Sequence, residues 1–214
     1  MTLKHLPPEE SIILDAPYIF GIECNWLTIP TVDTESLAEF LKLDNLVPCN
    51  WKHGVIWGHH LKVYVSPPVD GWTFVVSNSL PYVNFEPGLT NAKQLVIELS
   101  QEYGQAQYFG SLDSGAEYDH WIKAENGQIL RAYCYAEGEN FIVDGEPTRV
   151  EKKYNLVNTL SEEAKNDADY LFREDIDFPR TIITLEVAGA WGFSPQDLPK
   201  KMAPRLGLLG ERKW

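Results

Sequence analysis

Two turn signals, each set between arms of alternating residues, constrain this chain more than any other feature. In DHWIKAENGQILRAYCYAEG, the pair Asn126-Gly127 supplies two residues that tolerate positive φ, as a type I′ turn requires. In LKVYVSPPVDGWTFVVSN, Val63 and Val65 alternate with Lys62, Tyr64 and Ser66, and Trp72, Phe74 and Val76 alternate on the other arm. Pro67, Pro68, Asp70 and Gly71 are turn formers between those arms. Both stretches therefore predict antiparallel hairpins, the earlier one with a loop of about four or five residues.

The flanking segments set the topology. Tyr18 to Ile29 is rich in β-branched and aromatic residues and reads as one or two strands. Asp33 and Thr34 can cap a helix from Glu35 to Leu43, with Leu37, Phe40 and Leu41 on one face. A second helix is expected from Thr90 or Asn91, with Leu95, Val96, Leu99 and Tyr103 inward and Gly104 at its end. Gln105 to Phe109 then reads as a strand, and Phe141 to Val143 as a short one. Strand, helix, hairpin, helix, strand is a split β-α-β order. It predicts an α+β fold: an antiparallel sheet with helices on one face, ferredoxin-like, extended by the second hairpin.

Beyond Gly145 the texture changes. Ser161 can cap SEEAKNDADYLF, Thr181 to Trp191 leans toward helix, and Ser194-Pro195 is a helix start. The reading is a sheet domain over 1–150 and a C-terminal helical segment over 151–214, packed as one continuous globular unit. The tail LGLLGERKW reads as peripheral.

Charge narrows the partners. The net charge is −13, and Glu137 to Asp177 holds twelve acids against five bases, a net of −7. Such a surface repels phosphates, so nucleic acid is not an expected partner, whereas a basic protein is. No run of eighteen apolar residues is present, so no membrane-spanning helix is expected. MTLKHLPPEESIILDAP lacks the unbroken apolar stretch of a secretion signal, and neither end carries a lipidation motif. Cys24, Cys49 and Cys134 are odd in number and widely spaced, which fits a reducing compartment. The expected location is the cytoplasm.

Chemistry-bearing patterns are weak. CNWKHGVIWGHH offers Cys49, His53, His59 and His60 to a metal, but C-x3-H-x5-H-H lacks the paired spacing of a structural zinc site. Trp51, Val55 and Trp57 alternate with polar or small residues, so the stretch reads as an aromatic strand. No G-x-S-x-G elbow accompanies the histidines, although His120 beside Asp119 could act as acid or base. Phosphate-cradling loops are missing, and REDIDFPRTIIT lacks the glycine and closing glutamate of a calcium loop. No catalytic residue, metal or cofactor is assigned.

VSPPVDGWTFVVS, DHWIKAENGQILRAYCYAEGE and VAGAWGFSPQDL together resemble a group of uncharacterised bacterial cytoplasmic proteins. These share a P-x-x-G-W-T hairpin, an N-G-x-x-x-R-A-Y hairpin and a late A-W-x-x-x-P helix start. The resemblance covers roughly residues 25 to 200. It implies a bacterial origin and a common architecture, and carries no activity or site residues.

Function is expected to be non-enzymatic: an acidic protein-binding module of the intracellular inhibitor or antidote kind. Glu162, Glu163, Asp167, Asp169, Glu174, Asp175 and Asp177 are the candidate partner-binding residues. The alternative is an enzyme or small-molecule sensor with a pocket between the sheet and the C-terminal helices, drawing on His59, His60, His120 and Cys134. A structural subunit of a larger assembly is a third reading.

Overall fold

The computed structural model describes residues 9–112, 118–199 and 203–214. Among these, nine strands form one antiparallel sheet in the order β2-β9-β3-β4-β1-β5-β6-β7-β8. The strands are β1 (Cys24–Ile29), β2 (Asp44–Cys49), β3 (Val63–Val65), β4 (Thr73–Val76), β5 (Gln105–Leu112), β6 (Tyr118–Glu125), β7 (Gln128–Ala136), β8 (Glu139–Asp144) and β9 (Gly207–Glu211). Six helices accompany them: α1 (Thr34–Phe40), α2 (Trp51–His59), α3 (Gly88–Tyr103), α4 (Arg149–Tyr154), α5 (Glu162–Asn166) and α6 (Thr181–Trp191).

Both expected hairpins form. Asn126 and Gly127 take φ of 47° and 81° between β6 and β7. Asp70 and Gly71 take 48° and 87°, and Val69 and Trp72 exchange both backbone hydrogen bonds across them. The expected helix after Asp33 is α1, with the Asp33 carboxylate accepting from the Ser36 N–H.

Strand alternation gives the sheet two unlike faces. On β7, Tyr133 and Tyr135 point to one side and Ala132, Cys134 and Ala136 to the other. The aromatic face carries Trp26, Phe74, Phe109, Trp121 and Tyr133, with α2 and α6 against it. Trp121 and Tyr133 stack there at 4.5 Å. Small side chains on the opposite face let α3 approach through Leu95, Val96 and Leu99, beside α1. Helices therefore cover both faces, which corrects the one-sided arrangement expected from the element order. The second core exists because β6 and β7 bury both sides.

The stretch CNWKHGVIWGHH and the tail differ in kind from expectation, and the expected helix start at Ser194-Pro195 is a 3₁₀ turn, Pro195–Asp197. CNWKHGVIWGHH is mainly helix α2, not a strand. Its first N–H groups are all met: Asn50 Oδ1 accepts from His53, and the Asp15 carboxylate accepts from Trp51 and Lys52, each at 2.9 Å. Trp51, Gly54, Val55 and Gly58 form its buried stripe. The tail is not peripheral either. Gly207–Glu211 enters the sheet as β9, hydrogen-bonded to both β2 and β3, with Leu209 1% exposed. The expected C-terminal helical segment thus ends in an interior strand.

Candidate protein-docking surface

The acidic residues sit on one excursion of the chain, closed at its base. Val157 N–H donates to the Asp177 carbonyl at 2.9 Å, and Asp177 N–H to the Asn155 carbonyl at 3.2 Å. Val157 and Ile176 are buried beside this closure and fix the excursion to the aromatic core. Between them Ser161 caps α5 by accepting from the Ala164 N–H at 3.0 Å, as expected from sequence. α5 ends at Asn166, short of the helix expected through SEEAKNDADYLF, and the chain continues into a 3₁₀ turn, Tyr170–Phe172. Buried Tyr170 ties that turn down: its hydroxyl accepts from the Asn158 N–H at 3.0 Å.

Arg173 organises the carboxylates. Its guanidinium donates to both oxygens of Asp175, at 2.9 and 2.7 Å, and pairs with Glu163. Asp167 lies 3.8 Å away on the same guanidinium. Glu162 pairs with Lys165 at 2.7 Å, and Asp177 with Arg180 at 2.8 Å. Arg173 holds the Asp175 carboxyl below the usual carboxylate range, and Lys165 does the same for Glu162. Asp169 and Glu174 are exposed and form no ion pair among the described residues. The structure therefore gathers Glu163, Asp167 and Asp175 around one cation. It leaves Glu162 and Asp177 on separate pairs and Asp169 and Glu174 facing solvent.

From 158 to 177 the sequence holds seven acids and two bases, so the excursion keeps a net charge of −5 after its internal pairs form. Sequence reasoning missed what stands among those charges. Phe172 is 84% exposed, Leu160 47% and Leu171 39%. The sequence places Leu171 on one helical face with Ala164 and Ala168, and the available signal was Phe172, which falls off that face in a charged run.

The other candidate residues do not converge. Cys49 is buried at the end of β2, His53 caps onto Asn50 at 3.0 Å, and His59 and His60 lie at the far end of α2, about 13 Å along its axis. Burial lowers the His59 pKa. His120 and Cys134 are direct partners on β6 and β7, both fully buried. Burial pushes the imidazole down to about 3 and the thiol upward, so both are neutral and no thiolate–imidazolium pair forms. Cys24 and Cys49 are likewise pushed up to about 12 by burial, and all three cysteines are free thiols. Among the described residues no three His, Cys, Asp or Glu side chains group as a metal site.

A hollow of about 640 Å³ lies where α6 begins, lined by Asp119, Asp177, Phe178, Arg180, Thr181 and Ile182. Two of its lining residues bond to buried neighbours: Asp119 accepts from the Thr184 hydroxyl at 2.7 Å, and the Thr181 and Ser111 hydroxyls meet at 2.6 Å. These contacts tie α6 to the sheet.

No helix among the described residues is long and apolar enough to cross a membrane. Comparison of the chain with protein-family models, curated proteins and solved structures finds no match.

Proposed function

We propose that this chain is a non-enzymatic protein-binding module whose acidic excursion, residues 158–177, captures a basic partner protein, as an intracellular inhibitor or antidote does. The observation that carries the reading is the fixed display of charge. Arg173 and Tyr170 hold the turn in place while Asp169 and Glu174 face solvent without internal cations. Charge presented on a prearranged surface raises the association rate and selects partners of opposite sign. The same surface disfavours nucleic acid. In this reading the protein works in a bacterial cytoplasm without cofactor, and its buried thiols suit a reducing compartment.

The proposal also reads β1-α1-β3-β4-α3-β5 as a ferredoxin-like split β-α-β unit, with β2 and α2 inserted. Its support is the antiparallel strand order β3-β4-β1-β5.

The test is affinity capture from source-cell extract at low and high salt, using the native chain and the double variant Asp169→Lys, Glu174→Lys. A basic protein held in stoichiometric amount, released by salt and lost from the double variant, supports the reading. A partner indifferent to both salt and charge reversal contradicts it. The second reading, an enzyme or sensor, has the hollow beside α6 as its place for a ligand, although none of His59, His60, His120 and Cys134 lines it, and native mass spectrometry of the purified chain tests it. A small molecule retained there, and displaced by an Ile182→Trp change, would move the assignment to that site.

A further inference from the structure

The most exposed large apolar side chain among the described residues is Phe172, at 84%. Its backbone is not loose. Phe172 N–H donates to the Asp169 carbonyl at 2.9 Å, closing the 3₁₀ turn. The residue two before it, Tyr170, is 7% exposed, and the residue after it, Arg173, is held by Glu163 and Asp175 and lies over the Tyr170 ring at 5.8 Å. An aromatic ring is thus presented to water from a turn fixed on both sides. Exposed Leu171 adjoins it, and exposed Leu160 stands in the turn that Tyr170 ties down through Asn158.

Single apolar side chains are common on protein surfaces; what sets Phe172 apart is that its ring is almost wholly exposed while the turn carrying it is held by Tyr170 and Arg173. A ring held in its binding position loses little freedom when covered, and buried aromatics are the usual interface anchors. Covering one Phe contributes about one to two orders of magnitude in affinity. Its surroundings define the occupant. Asp169 and Glu174 flank Phe172 in sequence, are exposed, and form no ion pair among the described residues. A neutral apolar surface would have to desolvate them without compensation, whereas lysines or arginines beside an apolar stripe would pair with them.

We propose that Phe172 is the anchor of the docking surface, and that its occupant is a basic amphipathic element of a partner protein: an apolar stripe flanked by Lys or Arg. This rests on the protein-binding reading above and adds to it the apolar contact, which charge alone does not require.

Two synthetic peptides of equal positive charge separate the two ideas. One is a leucine–lysine amphipathic helix, the other a glycine–lysine chain without apolar side chains. Fluorescence anisotropy at low salt is measured for the native chain, Phe172→Ala, Phe85→Ala and the pair Asp169→Lys, Glu174→Lys. Phe85 is 53% exposed at another surface and controls for general stickiness. The native chain is expected to bind the leucine–lysine peptide at least tenfold more tightly. Phe172→Ala should erase that advantage and leave the glycine–lysine affinity unchanged, with an unaltered thermal unfolding curve, and Phe85→Ala should change neither affinity. A Phe172→Ala affinity within twofold of native for the leucine–lysine peptide overturns the anchor. The acidic reading then still stands if charge reversal weakens both peptides. If charge reversal weakens neither, or neither peptide binds the native chain, both proposals fail.

Discussion

The Arg173 guanidinium meets the Asp175 carboxylate side-on, with Nε donating to Oδ1 at 2.9 Å and the neighbouring nitrogen to Oδ2 at 2.7 Å. This fork fixes orientation as well as distance. Both groups are exposed enough for solvent to screen their attraction, so the fork contributes geometry more than global stability.

Arg173→Met should therefore leave the unfolding midpoint nearly unchanged while loosening the excursion. Hydrogen exchange at the Phe172 and Arg173 amides should accelerate at least tenfold. The pH dependence has a definite sign. The Asp175 pKa is lowered in the folded protein, so its pairing is complete above the ordinary carboxylate range and is lost as pH falls through the lowered value. Native amides at the turn should lose protection in that acidic window. Arg173→Met should be unprotected at neutral pH already.

Glu151 and Arg131 form the opposite kind of pair. Both are nearly buried, and Glu151 also accepts from the Trp121 indole at 3.1 Å and from Thr148 N–H at 2.6 Å. Glu151→Ala leaves a guanidinium without its counter-charge under α4. It should cost about 3–5 kcal/mol in urea unfolding. A cost below ~1 kcal/mol would show that the pair does not hold α4 to the sheet.

His120 reports on burial. Neither ring nitrogen has a hydrogen-bond partner among the described residues, and desolvation pushes its pKa down to about 3. The unfolded chain protonates this residue near 6.5, so acid favours unfolding. Its contribution is unaffected above pH 6.5 and erodes as pH falls toward about 3, by at most about 1.4 kcal/mol per pH unit. Equilibrium unfolding of His120→Leu from pH 7 to 4 should lack that component of the slope. Parallel pH curves for the two proteins would contradict the assignment.

Gly54 tests the contact between α2 and the sheet. A Cβ there would stand 2.2 Å from Cδ2 of the buried Tyr64 ring. Helix propensity alone favours Gly54→Ala by up to about 1 kcal/mol. Collision with Tyr64 reverses the sign, and a net loss of about 1–3 kcal/mol is expected in denaturant unfolding. A stabilised variant would show that Tyr64 has room to move.

What was legible in the sequence was local. Asn126-Gly127 and Asp70-Gly71 carry their turn geometry in two residues each, and Asp33 and Ser161 cap helices within three positions of themselves. α2 was misread because Trp51, Val55 and Trp57 also satisfy a period of two. Asn50, whose side chain accepts from the His53 N–H, was a local helix start in the sequence, and Asp15 adds acceptors for the Trp51 and Lys52 N–H groups from 36 residues upstream of Trp51. β9 was hidden for a related reason: five residues gain their strand partners from β2 and β3, far earlier in the chain. At the candidate surface the acids were visible by composition. Their division into pairs around Arg173 and Lys165, and the outward Phe172, depend on how Tyr170 packs.

The central claim is tested most directly by the affinity of the captured partner, measured by calorimetry at two ionic strengths for the native chain and for Asp169→Lys, Glu174→Lys. The account predicts a native affinity that falls as salt rises and a double variant at least tenfold weaker at low salt, with the two converging at high salt. Equal affinities at low salt, unmoved by ionic strength, would contradict it.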